Sequence, residues 1–180
     1  MNTKNHVEEI SQICNELKLS LPMDWLYISI AQQTMYFYRD CNFKKQYIIS
    51  TSKHGISQEN GSLCTPLGLH VIADKIGENA AKNTVFISRI DTGKNVREFE
   101  DWQTKGYVTS RIFRMKGLQA GYNLGGNVDT YERFVYIHGL ANEVNAGRPS
   151  TAGCIGMKND DIIELFSTLN LGSFVLIAEE

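Results

Sequence analysis

His138 closes the apolar stretch Phe134–Ile137, and Cys154 follows sixteen residues later within Thr-Ala-Gly-Cys. A thiol attacks a carbonyl carbon as its thiolate, and imidazole is the side chain suited to take the proton near neutral pH. Gly153, just before the cysteine, lets a substrate carbonyl approach the backbone closely and leaves N–H groups to hold an oxyanion. Thr151 places a hydroxyl within reach of the thiol, of an imidazole, or of a backbone group; in the last case it only stabilises a turn. The chemistry these types and spacings point to is acyl transfer through a cysteine.

Other chemistries find less support. His6, His54, His70 and His138 show no i, i+4 pairing and no carboxylate spaced as in HExxH. Cys14, Cys41, Cys64 and Cys154 show no CxxC spacing, so neither a metal nor any other cofactor is expected. The cysteines are expected to be free thiols, with Cys14, Cys41 and Cys64 as small, partly buried hydrophobes. His70 is expected to be structural or to line a cleft. The segment GYNLGGN (121–127) lacks the order of a phosphate-binding loop and reads as a turn or a substrate-lining loop.

The elements that must position the pair follow from hydrophobic periodicity. Val7, Ile10, Ile13 and Leu17 recur at helical spacing between acidic and amide residues, which predicts an amphipathic helix of about four turns, closed by Pro22. Its polar face is acidic, which suits packing on a domain surface and not on anionic lipid. From Trp25 the chain alternates with aromatic and β-branched residues. Strands are predicted at WLYISI, TMYFYRD, KKQYIIST, LHVIADKIG, TVFISRI, RIFRMKGL, RFVYIHG and SFVLIAEE, with a turn at 31–34 and a polar loop at 53–64. A short helix is expected at 159–169, capped by its Asn/Asp start, with Ile162, Leu165, Phe166 and Leu169 as its apolar face.

The 180 residues suit one domain, and no internal repeat or low-complexity linker divides them. A net charge of −2 gives no electrostatic basis for binding nucleic acid or a membrane, so a small or peptide-like partner is expected. The first residues show no basic-then-apolar leader pattern and no run reaches membrane-span length. The expectation is a cytoplasmic protein, or a periplasmic one if an export signal has been removed.

With these residues in hand, the chain resembles the L,D-transpeptidase (YkuD) family over roughly residues 25–178. The resemblance rests on His138-Gly139, on Thr151-Ala152-Gly153-Cys154 after a loop of about a dozen residues, on Thr65-Pro66-Leu67-Gly68, and on NLGGNVDTYERFVYIHG. It implies a mainly β, sandwich-like domain over 23–180, with residues 1–22 as a helical extension and a short helix after the cysteine. Cys154 would be the nucleophile and His138 the base and then the acid. The carbonyl of Gly139 would orient the imidazole, and the N–H groups of Gly153 and Cys154 would form the oxyanion hole. The substrate implied is a peptidoglycan stem peptide, a tetrapeptide or muropeptide, and an activated Cys154 would form an adduct with a β-lactam of the carbapenem class.

Two positions depart from the family pattern. Ala152 stands where a second His is common, and Gly156 where many relatives carry Arg after Cys-Ile. These departures, taken with the lack of a leader pattern, turn the expectation toward an L,D-carboxypeptidase that trims terminal D-Ala during wall recycling, as the signal-less members that the chain resembles would. Cross-linking transpeptidation and a silent wall-peptide-binding module are the alternatives. Thr151, Arg133 and Tyr122 are the expected substrate contacts, with Arg111, Arg114 and Asn123 as further candidates.

Overall fold

A computed structural model describes residues 3–180; Met1 and Asn2, at the start of the expected extension, lie outside them. The chain runs α1 (Thr3–Glu16), β1 (Asp24–Ser29), β2 (Thr34–Arg39), β3 (Asn42–Ser50), β4 (Gly68–Ile76), β5 (Thr84–Ile87), β6 (Ile90–Asn95), β7 (Val108–Gly117), β8 (Tyr136–Leu140), β9 (Ile155–Met157), α2 (Asn159–Thr168) and β10 (Phe174–Ala178). The fold is mainly β. All ten strands form one sheet in the order β4-β10-β1-β2-β3-β9-β8-β7-β5-β6. A further β4–β7 pairing closes the first eight into a ring, so the two expected layers are opposite walls of one sheet. Parallel pairing occurs only at β1–β10 and β8–β9 among the described strands; the others are antiparallel.

Strict alternation in β1 and β2 buries both faces. Leu26, Ile28, Met35 and Phe37 point into the main core with Ile137, Ile155, Met157 and Val175. The intervening Trp25, Tyr27, Tyr36 and Tyr38 face outward and are covered by α1 through Ile10 and Cys14, with Val7, Ile13 and Leu17 packed beside them. Trp25 stacks on Tyr38 at 4.1 Å and His6 on Tyr27 at 3.8 Å. The predicted helix thus acts as a second layer over an aromatic belt. Helix α2 and its C-cap Leu169 contribute Ile162, Leu165, Phe166 and Leu169 to the main core, the four residues the periodicity selects.

Several local expectations are corrected. TVFISRI is not one strand: Ser88 and Arg89 take positive φ (48° and 70°) and turn it into the β5–β6 hairpin. Asp40 and Cys41 do the same between β2 and β3, so Cys41 is exposed in a tight turn and not a partly buried hydrophobe. Strand β7 begins earlier than RIFRMKGL and carries a bulge between Thr109 and Ile112, where Ser110 sits at φ 63°. Strand β8 begins only at Tyr136, because Phe134 turns the chain at φ 57°. The start of α2 is not capped by its own Asn: Lys158 is the N-cap and makes no side-chain bond, while Glu143 Oε1 accepts from Asn159 N at 2.6 Å.

Candidate active site

The parallel β8–β9 pairing brings the two chemical residues together. His138 lies opposite Gly156, and Cys154 stands two residues before Gly156 on the same face. His138 and Cys154 therefore line one pocket of about 320 Å³, with Lys53, Lys105, Tyr107 and Leu140 among its other walls. Cys154 also borders a second pocket of about 150 Å³, lined by Leu63, Cys64, Arg133, Phe134 and Gly153. Ala152 is common to both, so the position without the family's second His leaves a small side chain beside the thiol where the pockets adjoin.

The imidazole is fixed by its own strand. His138 is buried, and its Nδ1 lies 2.8 Å from Gly139 O. A carbonyl only accepts, so Nδ1 carries the proton and Nε2 is the basic nitrogen. Burial lowers the His138 pKa against the opposing Gly139 bond. The thiol accepts from Tyr136 N–H at 3.4 Å and lies 3.7 Å from Phe134 O. Burial pushes its pKa up to about 11, opposed by the Tyr136 N–H and the Arg133 charge. Both shifts leave the proton on sulfur and the imidazole neutral at rest. No hydrogen bond of the described residues joins Nε2 to Sγ.

The turn before Cys154 is held from three sides. Gly153 adopts φ 116°, a conformation L side chains rarely take, and a Cβ there would press on Cys64 O at 3.3 Å. Thr65, from the TPLG segment, donates to Gly153 O at 3.1 Å. Thr151 donates its hydroxyl to Cys154 O at 2.6 Å, the turn-stabilising role, while also lining the larger pocket. At Gly139 there is no room for a side chain, because a Cβ would meet Asn159 Oδ1 and Thr109 O.

Asn159 organises the polar layer behind the histidine strand. Its Oδ1 accepts from Thr109 and Ser110 hydroxyls at 2.8 and 2.5 Å, and its Nδ2 donates to Leu140 O and Glu143 Oε1 at 2.9 and 2.7 Å. The helix-start pattern marks Asn159 only as a cap, and no local signal shows that its amide serves the histidine strand. Lys53 and the 103–108 segment were also missed, because they reach the site through tertiary structure alone.

The remaining candidates separate. Arg133 borders the smaller pocket and Thr151 the larger one. Tyr122 does not reach Cys154: it is exposed and borders a different groove, with Glu9, Tyr27 and Gln119. Asn123 is buried and spends its side chain on Leu67 O, Leu69 O and Gln119 N, which folds the GYNLGGN turn back onto β4. Arg111 donates to Ala80 O and Ser110 O, and Arg114 pairs with Asp74 and Tyr131. His70 is fully buried between Gly68 O and the Thr130 hydroxyl, the structural role.

A thiol in the turn before one strand of a closed sheet and an imidazole on the neighbouring strand, lining one pocket, have the make-up of a cysteine acyl-transfer site. The chain belongs to the YkuD family, the L,D-transpeptidase catalytic domain, whose match covers residues 23–177. Over 48 residues it is 40% identical to YqjB of Bacillus subtilis (strain 168), which carries an L,D-transpeptidase name; that stretch is 27% of each chain. The fold is shared with an L,D-transpeptidase from Mycobacterium smegmatis (TM-score 0.54, 16% identity, 87% of this chain and 58% of that one). It is also shared with residues 123–326 of an L,D-transpeptidase from Xylanimonas cellulosilytica (TM-score 0.56, 14% identity, 88% and 62%). L,D-transpeptidase 3 of Mycobacterium tuberculosis, in complex with a faropenem-derived adduct, gives TM-score 0.55 at 14% identity over 88% and 61%. The chain spans about three fifths of the length of these structural relatives.

Proposed function

We propose that this protein is a cysteine acyl-transfer enzyme of peptidoglycan stem peptides, acting as an L,D-carboxypeptidase that releases terminal D-Ala from tetrapeptide muropeptides. The observation that carries the reading is the fixed tautomer of His138: Nδ1–H is held by Gly139 O, so the basic Nε2 is left for the pocket shared with Cys154. As substrate binds, Nε2 takes the thiol proton while Sγ attacks the carbonyl of the diamino acid. Backbone N–H groups of Gly153 and Cys154 hold the oxyanion. The C–N bond then breaks, His138 returns the proton to the leaving amine of D-Ala, and a thioester remains on Cys154. Water, deprotonated by the same Nε2, hydrolyses it to tripeptide and free thiol.

The surroundings support this division of roles. The pocket containing His138 carries Lys53, together with Lys105, which is loosely paired with Asp101 at 3.6 Å, and no carboxylate in its lining, which suits a leaving amino acid with a free carboxylate. Hydrolysis during recycling would place the protein with its muropeptides in the cytoplasm. Transpeptidation to an amine follows the same acylation step and differs only in what attacks the thioester. Incubation with disaccharide-tetrapeptide, followed by mass spectrometry, distinguishes the two. Disaccharide-tripeptide and free D-Ala are expected; cross-linked dimers or D-amino-acid exchange products would overturn the hydrolytic reading.

A further inference from the structure

Ser150, which lines the larger pocket at Cys154, and Arg133, which lines the smaller, each carry one buried side-chain atom without a hydrogen-bond partner among the described residues, Ser150 Oγ and Arg133 Nη1. Arg133 is the more informative because it is charged. Its Nη2 is anchored to Cys64 O at 2.8 Å and more loosely to Ser62 Oγ at 3.3 Å, which fixes the plane of the guanidinium. No ion pair of the described residues involves it, and no carboxylate lines its pocket. A desolvated guanidinium with an idle N–H is costly unless a ligand supplies the acceptor, and its fork matches a carboxylate.

Position 156 cannot supply such a contact here. A Cβ on Gly156 would fall on the side chain of Leu140, so the space an arginine there would start from is filled. The side of the scissile bond that faces Arg133 follows from the imidazole. The leaving amine must receive its proton from His138, which lines the larger pocket and not the smaller one. The leaving residue therefore takes the larger pocket, and the smaller one receives part of the acyl chain.

We propose that Arg133 is the specificity-determining cation of this site, receiving a carboxylate that the donor peptide carries on the acyl side of the scissile bond. This rests on the carboxypeptidase reading for the orientation of the peptide. Two carboxylates share the required chemistry: the one on the side chain of the diamino acid, and the one on the residue preceding it.

The test is a binding cycle that does not depend on turnover. The protein carrying Cys154→Ala is titrated calorimetrically with the tetrapeptide and with two versions in which one or the other carboxylate is a carboxamide. One carboxamide is expected to weaken binding about tenfold or more, and to identify the carboxylate. Adding Arg133→Gln should cause a similar loss with the parent peptide and no further loss with that carboxamide. Arg133→Lys, which keeps the charge and the stem, should retain part of the discrimination even where the Gln variant folds poorly. Losses that simply add, or no loss with either carboxamide, would overturn the assignment. Wild-type turnover is followed in parallel. Turnover without coupling removes Arg133 alone, whereas coupling without turnover leaves the Arg133 site standing and removes the enzymatic reading.

Discussion

Leu140 explains the glycine at position 156, and the two must be considered as a pair. Strand pairing sets His138 opposite Gly156, and the Leu140 side chain covers the place where a side chain at 156 would begin. Gly156→Arg alone should destabilise the fold by about 1–3 kcal/mol through overpacking. Leu140→Ala in the same chain should recover much of that, so the double variant should be clearly less unstable than the sum of the singles. Urea denaturation of the four proteins measures the coupling; strict additivity would show that Leu140 is not what excludes the arginine. Ala152 is the companion departure, a small residue where the two pockets adjoin at the thiol.

At the scale of elements, the His138 strand is held in place by the start of α2. Asn159 reaches across from that helix to the β7 bulge and to Leu140 O, one residue beyond the carbonyl that fixes the imidazole. Asn159→Ala would strand two buried hydroxyls and the Leu140 carbonyl, at a cost of about 2–4 kcal/mol. Because the damage falls behind Gly139 and not in the pockets, kcat should fall by about tenfold or more with little change in KM. Denaturation together with steady-state kinetics on tetrapeptide checks both; a rise in KM at constant kcat would argue that Asn159 serves binding.

For the whole molecule, acid should loosen the closed sheet through buried histidine. His70 lies on β4 between Gly68 O and the Thr130 hydroxyl, and burial brings its pKa down from the ordinary imidazole value of 6.5 to about 4. The unfolded chain then binds the proton more readily than the folded one. Its contribution is complete above about pH 6.5 and is lost as pH falls toward about 4, roughly 3 kcal/mol in all. The stability difference between pH 7 and pH 4, from urea unfolding, should be smaller in His70→Gln by about that amount; an unchanged difference would contradict the assignment.

Much of this architecture was legible in the chain. Alternation in WLYISI and TMYFYRD gave strands because both faces are buried, and Ile162, Leu165, Phe166 and Leu169 marked the inner face of α2 because helical period and burial coincide. His138 and Cys154 could be paired because they flank one short crossover. The β5–β6 hairpin was hidden because β6 (IDTGKN) is polar and largely exposed, and only the left-handed Ser88 and Arg89 reveal the turn. Lys53, Asn159 and Leu140 acquire their roles from register and closure, which no local window contains. Tyr122 was misplaced for the same reason: the chain turns away from the site after β7.

The central claim is that Cys154, served by His138, is the residue that becomes acylated. Mixing the protein with a carbapenem and measuring intact mass over time tests it directly, since a β-lactam carbonyl presents the same demand as the peptide. The wild type should gain one adduct, mapped to Cys154, at a rate that falls about a hundredfold or more in His138→Gln. Cys154→Ala should gain none. An adduct that persists in Cys154→Ala, or a wild type that remains unmodified while folded, would contradict the account.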